Sequence, residues 1–261
     1  MNKRRYYTGV GSRETPFEIY LVMMACAMVF EKKGYILRSG TALGADSAFE
    51  QGITNPDNAE IYIPYKSFPQ KMWKENSAIN YIIPSENKDK YFQANNLLMR
   101  NNLYKRWETV KQEWVMKLHN RNIFQVLGQN LNKKEKSMFC LCYTSCGSTT
   151  YEQTDPNRTG GTGTAINTSS FFDVPVFNLA KENHLNRIVN FLKDNRELID
   201  FDRIFNTVPC SSFFNQESNK QTVSSLITKT SPKIFNEVNF PEIKNINSSK
   251  NNISSNSRYV V

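Results

Sequence analysis

The feature of this sequence that most constrains its fold is a regular alternation of short β-rich runs with helical stretches. Five runs are predicted as strands, over residues 5–10, 35–38, 60–64, 137–144 and 174–179. Strands that alternate with helices pair in parallel and are joined by right-handed crossovers. The sequence therefore predicts an α/β fold, with a Rossmann-like, doubly wound and mainly parallel sheet of about five strands.

The first predicted helix has recognisable ends and an apolar centre. Thr15, Pro16 and Glu18 have the spacing of a capping box with proline in the first turn. Gly34 is a typical helix terminator. The apolar run from Ile19 to Phe30 is too short to cross a bilayer core of roughly 30 Å as a helix. We expect a buried helix and no membrane association.

Composition divides the chain into a body, an insertion and a tail. The predicted Rossmann-like domain covers residues 1–205, and a polar insertion with helical character interrupts it over about residues 66–136. Residues 206–261 are rich in Asn, Ser and Lys. Such a segment buries too little apolar surface to offset the entropy lost on ordering. We therefore predict a largely disordered C-terminal tail.

Charge and cysteine content narrow the partners and the compartment. The net charge is +9, and most of the excess lies in the body, which favours anionic partners. The five cysteines are odd in number and unevenly spaced, which argues against a secreted disulfide scaffold. We expect a cytoplasmic protein of a bacterial cell or a phage-infected host. The oligomeric state is open, and a homo-oligomer is one alternative.

The glycine-rich segment over residues 159–164 is the most informative motif. It lies between a predicted strand and a predicted helix, so it belongs to the carboxyl edge of the sheet, where open α/β sheets bind ligands. Glycine lets the backbone approach a ligand, and the start of the next helix favours a phosphate. An ordinary glycine-rich turn is the alternative. We predict that the following residues bind ligand: Gly160, Gly161, Thr162, Gly163 and Thr164.

The loops after two other predicted strands also carry groups that can bind a ligand. After the first strand come Gly11, Ser12 and Arg13, and the Arg13 guanidinium suits a phosphate because it can bind two oxygens at once. A surface arginine without a ligand is the plain alternative. After the second strand we predict a further ligand-binding loop, made of Ser39, Gly40, Thr41, Gly44 and Asp46.

Asp46 and Glu50 are the candidate catalytic carboxylates. Asp46 can hold a ribose hydroxyl, cap a helix or act as a base. Glu50 is four residues further on and can share a helix face with Asp46. Such a pair can perform acid–base chemistry, and a solvated pair without a role is the alternative.

The insertion contributes candidate contacts of two kinds. Arg121 and Asn122 are polar groups that can reach a ligand. Trp73, Trp107 and Trp114 lie among Lys and Arg residues and can stack on the bases of single-stranded DNA, although packing between helices is the preferred interpretation.

The cysteines Cys140, Cys142 and Cys146 invite comparison with zinc sites. Their spacing differs from that of a zinc knuckle, and buried structural thiols are the preferred interpretation. We predict no metal, and a nucleotide-type ligand rather than a cofactor.

Taken in order, these segments resemble the SLOG superfamily of Rossmann-like proteins, which includes the DNA-processing protein DprA and the LOG phosphoribohydrolases. The resemblance is closest to the DprA-like branch of phages and bacteria, and it covers about residues 5–180. It rests on the segments 11–13, 39–46, 121–122, 160–164 and 174–179.

The resemblance implies different functions for different branches. DprA-type proteins bind single-stranded DNA, LOG enzymes cleave the glycosidic bond of nucleoside monophosphates, and other members sense nucleotide-derived signals. LOG enzymes carry a catalytic glutamate after the glycine motif, whereas this chain has Ala165, Ile166 and Asn167 there. We therefore expect a nucleotide-binding sensor or sequestering module without turnover. The alternatives are a DprA-like DNA-binding protein and, third, a nucleotide N-glycosidase that uses Asp46 or Glu50.

Overall fold

The computed structural model describes residues 4–68 and 81–207. Its strands are β1 (Arg5–Gly11), β2 (Tyr35–Ser39), β3 (Ala59–Tyr62), β4 (Tyr81–Ile82), β5 (Cys140–Tyr143) and β6 (Val176–Asn178). Within the described residues they form one parallel six-stranded sheet in the order β4-β3-β2-β1-β5-β6. The predicted Rossmann-like α/β fold class is therefore confirmed.

Helices cover both faces of this sheet. They are α1 (Phe17–Lys32), α2 (Ala45–Gly52), α3 (Lys88–Arg100), α4 (Glu113–Leu127), α5 (Pro156–Thr159), α6 (Thr162–Phe171), α7 (Glu182–Lys193) and α8 (Phe201–Phe205). One apolar cluster joins α1, α2 and α7 to the sheet, and a second joins α3, α4 and α6 to it. Side chains of β5 alternate between the clusters, since Leu141 belongs to the first and Cys140 and Cys142 to the second.

The sixth strand, β4, lies inside the predicted helical insertion and was not expected from the sequence. It extends the sheet by pairing Tyr81 with Ile61 and Ile82 with Tyr62. A strand of two residues is too short to show the two-residue periodicity that identifies strands. The insertion also supplies α3 and α4, as its helical character predicts.

The start of α1 differs from the predicted capping box. The helix begins at Phe17, and the residue before it, Pro16, makes no side-chain cap hydrogen bond. The Thr15 hydroxyl instead donates to the carbonyl oxygen of Ser12 at 2.7 Å, so it stabilises the loop after β1. Gly34 follows the helix with φ +76°, as expected for a terminator.

Some of the predictions fall on parts of the chain that are not described. The predicted tail lies outside the described residues from position 208 onward, so its disorder and its boundary with the body stay predictions. Trp73 lies in the other such segment, over residues 69–80. Within the described ranges, none of the helices has the length and apolar character that crossing a membrane requires.

The end of β1 packs closely against both of its neighbours in the fold, α2 and β5. A Cβ atom on Gly11 would lie 2.6 Å from the Cβ of Ala45 and 2.8 Å from the backbone oxygen of Tyr143. The Ala45 N–H also donates to the Ser12 carbonyl oxygen at 3.1 Å. Glycine at position 11 therefore lets α2 start directly beside β1, which brings the second loop to the first.

We predict that Gly11→Ala lowers the free energy of unfolding by about 1–3 kcal/mol, because backbone atoms must move to accept the methyl group. Gly161→Ala is the matched control, since its added Cβ would meet only the Nδ2 of Asn122, at 3.9 Å. Urea unfolding of both variants measures the difference. Equal unfolding free energies for the two variants would contradict the close approach at Gly11.

Candidate functional site

A pocket of about 430 Å³ opens at the carboxyl edge of the sheet. Four segments line it: residues 10–14 at the end of β1 and in the loop after it, Ala42 and Asp46 around the start of α2, the inner face of α4, and residues 157–162 with Ala165 around the start of α6. The parallel topology brings the strand-end loops together, and the insertion adds α4 as the opposite wall.

Nine of the predicted ligand-binding residues line this pocket. They are Gly11, Ser12, Arg13, Asp46, Arg121, Asn122, Gly160, Gly161 and Thr162. The other six predicted ligand-binding residues do not line it: Ser39, Gly40, Thr41, Gly44, Gly163 and Thr164. The catalytic candidate Glu50 does not line it either. Their side chains or backbone instead support the residues that do.

The glycine segment exposes its backbone to the pocket. Gly160 has φ +54° and ψ −143°, a conformation that only glycine adopts easily. An added Cβ would meet nothing within 4 Å at Gly160, so the space beside this turn is open. The Asn122 side chain donates to the carbonyl oxygen of Gly161 at 2.8 Å and fixes the turn to α4. At the start of α6 the N–H groups of Gly163 and Thr164 donate to the carbonyl oxygens of Gly160 and Gly161 at 3.3 and 3.1 Å. The N–H groups of Gly161 and Thr162 are therefore the ones that a ligand can use.

Arg121 and Asp46 form a buried ion pair at the back of the pocket. The Nη1 atom of Arg121 lies 3.4 Å from Asp46 Oδ2 and 3.5 Å from the carbonyl oxygen of Tyr62. Asp46 also accepts the backbone N–H of Ala42 at 3.4 Å and that of Gly11. The carboxylate thus connects the first loop, the second loop and α4.

Burial is the largest influence on the pKa values of Asp46 and Arg121. It raises the pKa of the Asp46 carboxyl, and the Arg121 guanidinium and the backbone N–H groups of Ala42 and Gly11 oppose that rise. Burial likewise lowers the pKa of Arg121, and the Asp46 carboxylate opposes it. A guanidinium nevertheless stays protonated in proteins, so Arg121 contributes a fixed positive charge.

Gly40 and Gly44 make room for this arrangement. A Cβ on Gly40 would fall on the Arg121 Nη1 and would come within 2.5 Å of the Gln125 Nε2. Gly44 has φ +82°, and its added Cβ would overlap the backbone oxygen of Ser12. Both glycines are therefore packing positions, where the sequence predicted ligand contacts.

Glu50 holds the second loop from behind. It is fully buried, and it accepts the N–H of Thr41 at 2.6 Å. Thr41 has φ +58°, which is unfavourable for a threonine, and this hydrogen bond stabilises that conformation. Ser39 is also buried and donates to the carbonyl oxygen of Gly9 at 2.8 Å. Asp46 therefore faces the pocket and Glu50 does not line it, so the two carboxylates do not act on a common pocket surface.

His119 is a pocket residue that sequence reasoning did not single out. Its Nδ1 is 2.8 Å from the hydroxyl of Thr164, and its ring stacks on Tyr104 with a centroid distance of 3.7 Å. Thr164 is thus engaged by His119. Gly163 packs beside Thr159, whose hydroxyl oxygen would lie 2.5 Å from an added Cβ.

Three other polar or charged side chains at the pocket are Arg158, Glu14 and Gln125. Arg158 and Glu14 are exposed at the pocket, while Gln125 is buried on α4. Gln125 is one turn beyond Arg121, so the helical spacing from Arg121 is the signal that could have identified it.

The cysteines of β5 are buried thiols. Cys140 and Cys142 are buried on β5, and the hydrogen bond between the Cys142 thiol and Cys140, together with burial, raises the pKa of Cys142. Across residues 4–68 and 81–207, no three His, Cys, Asp or Glu side chains are grouped so that they could hold a metal ion.

The two tryptophans that the structure describes differ in their surroundings. Trp107 packs against the second apolar cluster, whereas Trp114 is 52% exposed.

Comparison of the chain with protein-family models, with curated proteins and with solved structures finds no match in any of the three. The functional interpretation therefore rests on the geometry of the pocket and on the ordered motifs.

We predict that His119 stays neutral far below the usual pH range of a histidine. Burial, assisted by the Arg121 charge, lowers the pKa of His119 from 6.5 to about 4. An unfolded chain takes up this proton near 6.5, so the folded state loses stability as the pH falls from there toward the folded pKa. Side-chain NMR of the His184→Gln variant, which leaves a single histidine, measures the midpoint. A midpoint near 6.5 would show that the ring is not held as described.

Proposed function

We propose that this chain binds a nucleotide or nucleotide-derived ligand in the pocket and acts as a sensor or sequestering module. The observation that carries the proposal is the open backbone at Gly160 and Gly161, at the start of α6. A helix start with an unobstructed glycine turn provides N–H donors and a favourable dipole for a phosphate. The volume of about 430 Å³ lies in the range of small-molecule sites.

The charges around the pocket support a phosphate in that position. Arg13 and Arg158 are exposed at the lining, and neither forms a salt bridge with a described residue. Arg121 is paired with Asp46 deeper in the pocket. Two guanidinium groups are therefore available to a phosphate, and each can bind two of its oxygens.

The side chains that could act as catalytic groups favour ligand binding over hydrolysis of a glycosidic bond. Asn167, in the region after the glycine motif where LOG enzymes carry a glutamate, is buried; its amide donates to Leu103 and accepts from Thr154. Glu50 is engaged with Thr41 and does not line the pocket. Asp46 lines the pocket but is bound to Arg121 and to backbone N–H groups. Of the alternatives, nucleotide N-glycosidase activity has the least support.

The pocket also favours a small nucleotide over single-stranded DNA. Of the tryptophans proposed for base stacking, Trp107 packs against the second apolar cluster. Of the two tryptophans that the structure describes, only Trp114 is largely exposed. The ordered motifs that resemble the SLOG superfamily support a ligand made of nucleotides, whether it is a small nucleotide or single-stranded DNA.

We predict that Gly161→Asp lowers the affinity for a nucleoside monophosphate by about 100-fold or more, because a carboxylate at the helix start repels the phosphate. Gly161 has φ −63° and ψ −30°, so an aspartate can occupy the position without backbone strain. Isothermal titration calorimetry measures the affinity. Gly161→Ala is the control for the added Cβ, and unchanged melting temperatures show that both variants fold. Tight nucleotide binding by the aspartate variant would refute the phosphate loop.

Salt dependence separates the nucleotide from DNA. A protein that contacts several backbone phosphates loses about 10³–10⁵ in affinity between roughly 50 and 200 mM salt, because counterions are released. For a mononucleotide in the pocket we predict a loss below about tenfold over the same range. Fluorescence titration with a mononucleotide and with a single-stranded oligonucleotide gives both slopes. Tight, steeply salt-dependent binding of the oligonucleotide alone would favour the DNA-binding alternative.

A further inference from the structure

Gln125 is a buried polar residue that the protein itself leaves without partners. Its side chain is 1% exposed and lines the pocket. Neither its Oε1 nor its Nε2 has a hydrogen-bond partner among the described residues. The Nε atom of Arg121, one helical turn earlier, is also buried and without a partner.

The backbone around Gln125 is held firmly. The Thr8 hydroxyl donates to the Gln125 carbonyl oxygen at 2.7 Å, and Ser137 adds a hydrogen bond at 3.4 Å. Thr8 lies three residues before the end of β1, so this part of α4 sits below the rim of the pocket. Side chains on a helix lean toward its N-terminus, which directs Gln125 back toward Arg121 and the pocket.

The amide is also confined laterally. An added Cβ on Gly40 would lie 2.5 Å from Nε2, so the second loop packs directly against the amide. A primary amide presents a donor and an acceptor side by side in one plane. Leaving both buried without partners costs the folded protein stability. A ligand that reaches such a group in a pocket can supply the missing hydrogen bonds.

We propose that Gln125 is a specificity-determining residue that recognises the hydrogen-bonding edge of a nucleobase. The inference rests on the proposed function and assigns the nucleobase of the ligand to the deepest part of the pocket. A planar base edge with a donor next to an acceptor pairs with both amide atoms at once. A phosphate offers acceptors only and would face the Asp46 carboxylate, so it belongs at the glycine turn instead. The pocket also has apolar lining for a base, from Val10, Leu118 and Ala165.

The test uses Gln125→Leu in the full chain and two measurements. The first is the melting temperature without ligand. Removing two unsatisfied buried atoms is predicted to leave it unchanged or to raise it by about 2–4 °C. Asn167→Leu is the matched control, because both of its amide atoms are bonded inside the protein, and it is predicted to lower the melting temperature. Gln125→Met repeats the measurement with a side chain of the same length.

The second measurement compares ligands with and without a base. AMP, GMP, CMP and UMP are titrated beside ribose 5-phosphate, for wild type and for Gln125→Leu. We expect at least one nucleotide to bind the wild type more tightly than ribose 5-phosphate. In the variant this preference should fall by about 10- to 100-fold, while the affinity for ribose 5-phosphate stays the same.

The outcomes distinguish the inference from the function on which it rests. If nucleotides bind but the preference over ribose 5-phosphate is the same in both proteins, Gln125 does not read the base and the phosphate site stands. If both Gln125 variants melt well below the wild type, as Asn167→Leu does, the amide is structural and the inference is wrong. If no probe binds the wild type, the inference and the proposed function fall together.

Discussion

The guanidinium of Arg121 lies buried between α4, the loop after β2 and the end of β3, where its Nη1 is 3.4 Å from the Asp46 carboxylate. Removing a charged group from water costs several kcal/mol unless its partners compensate. Asp46 supplies the opposite charge, Tyr62 supplies a carbonyl oxygen, and Gly40 supplies the space. The insertion helix is thereby attached to the carboxyl edge of the sheet. The wall of the pocket that carries Asn122 and Gln125 is held by this ion pair at its pocket end and by the second apolar cluster along the sheet.

With α4 held in place, polar groups of two kinds surround the pocket. Some are consumed by the fold: Glu50 stabilises the left-handed Thr41, and Asn167 bonds to Leu103 and Thr154. Others are left without partners, as the Gln125 amide is. The first kind fixes the loops, and the second kind is available to a ligand. Both carboxylates of α2 belong to the first kind, since Asp46 pairs with Arg121 and Glu50 accepts the N–H of Thr41.

The sequence predicted the location of the pocket better than the role of each residue in it. Strand-end loops converge in any parallel sheet, so the approach of Arg13, Asp46 and Gly161 followed from topology alone. The sequence did not distinguish glycines that expose backbone, such as Gly160, from glycines that clear space for a neighbour, such as Gly40. That distinction depends on which side chain arrives from α4, more than 80 residues later in the chain. The strand β4 was missed because it has only two residues.

The most direct test of the central claim is native mass spectrometry of the purified protein, before and after denaturation. Binding of a nucleotide in the pocket predicts a one-to-one complex with a phosphate-containing small molecule, either co-purified or formed on addition of nucleoside monophosphates, and released when the protein is denatured. A wild-type protein that forms no complex with any nucleotide, yet retains a single-stranded oligonucleotide under the same conditions, would contradict the claim.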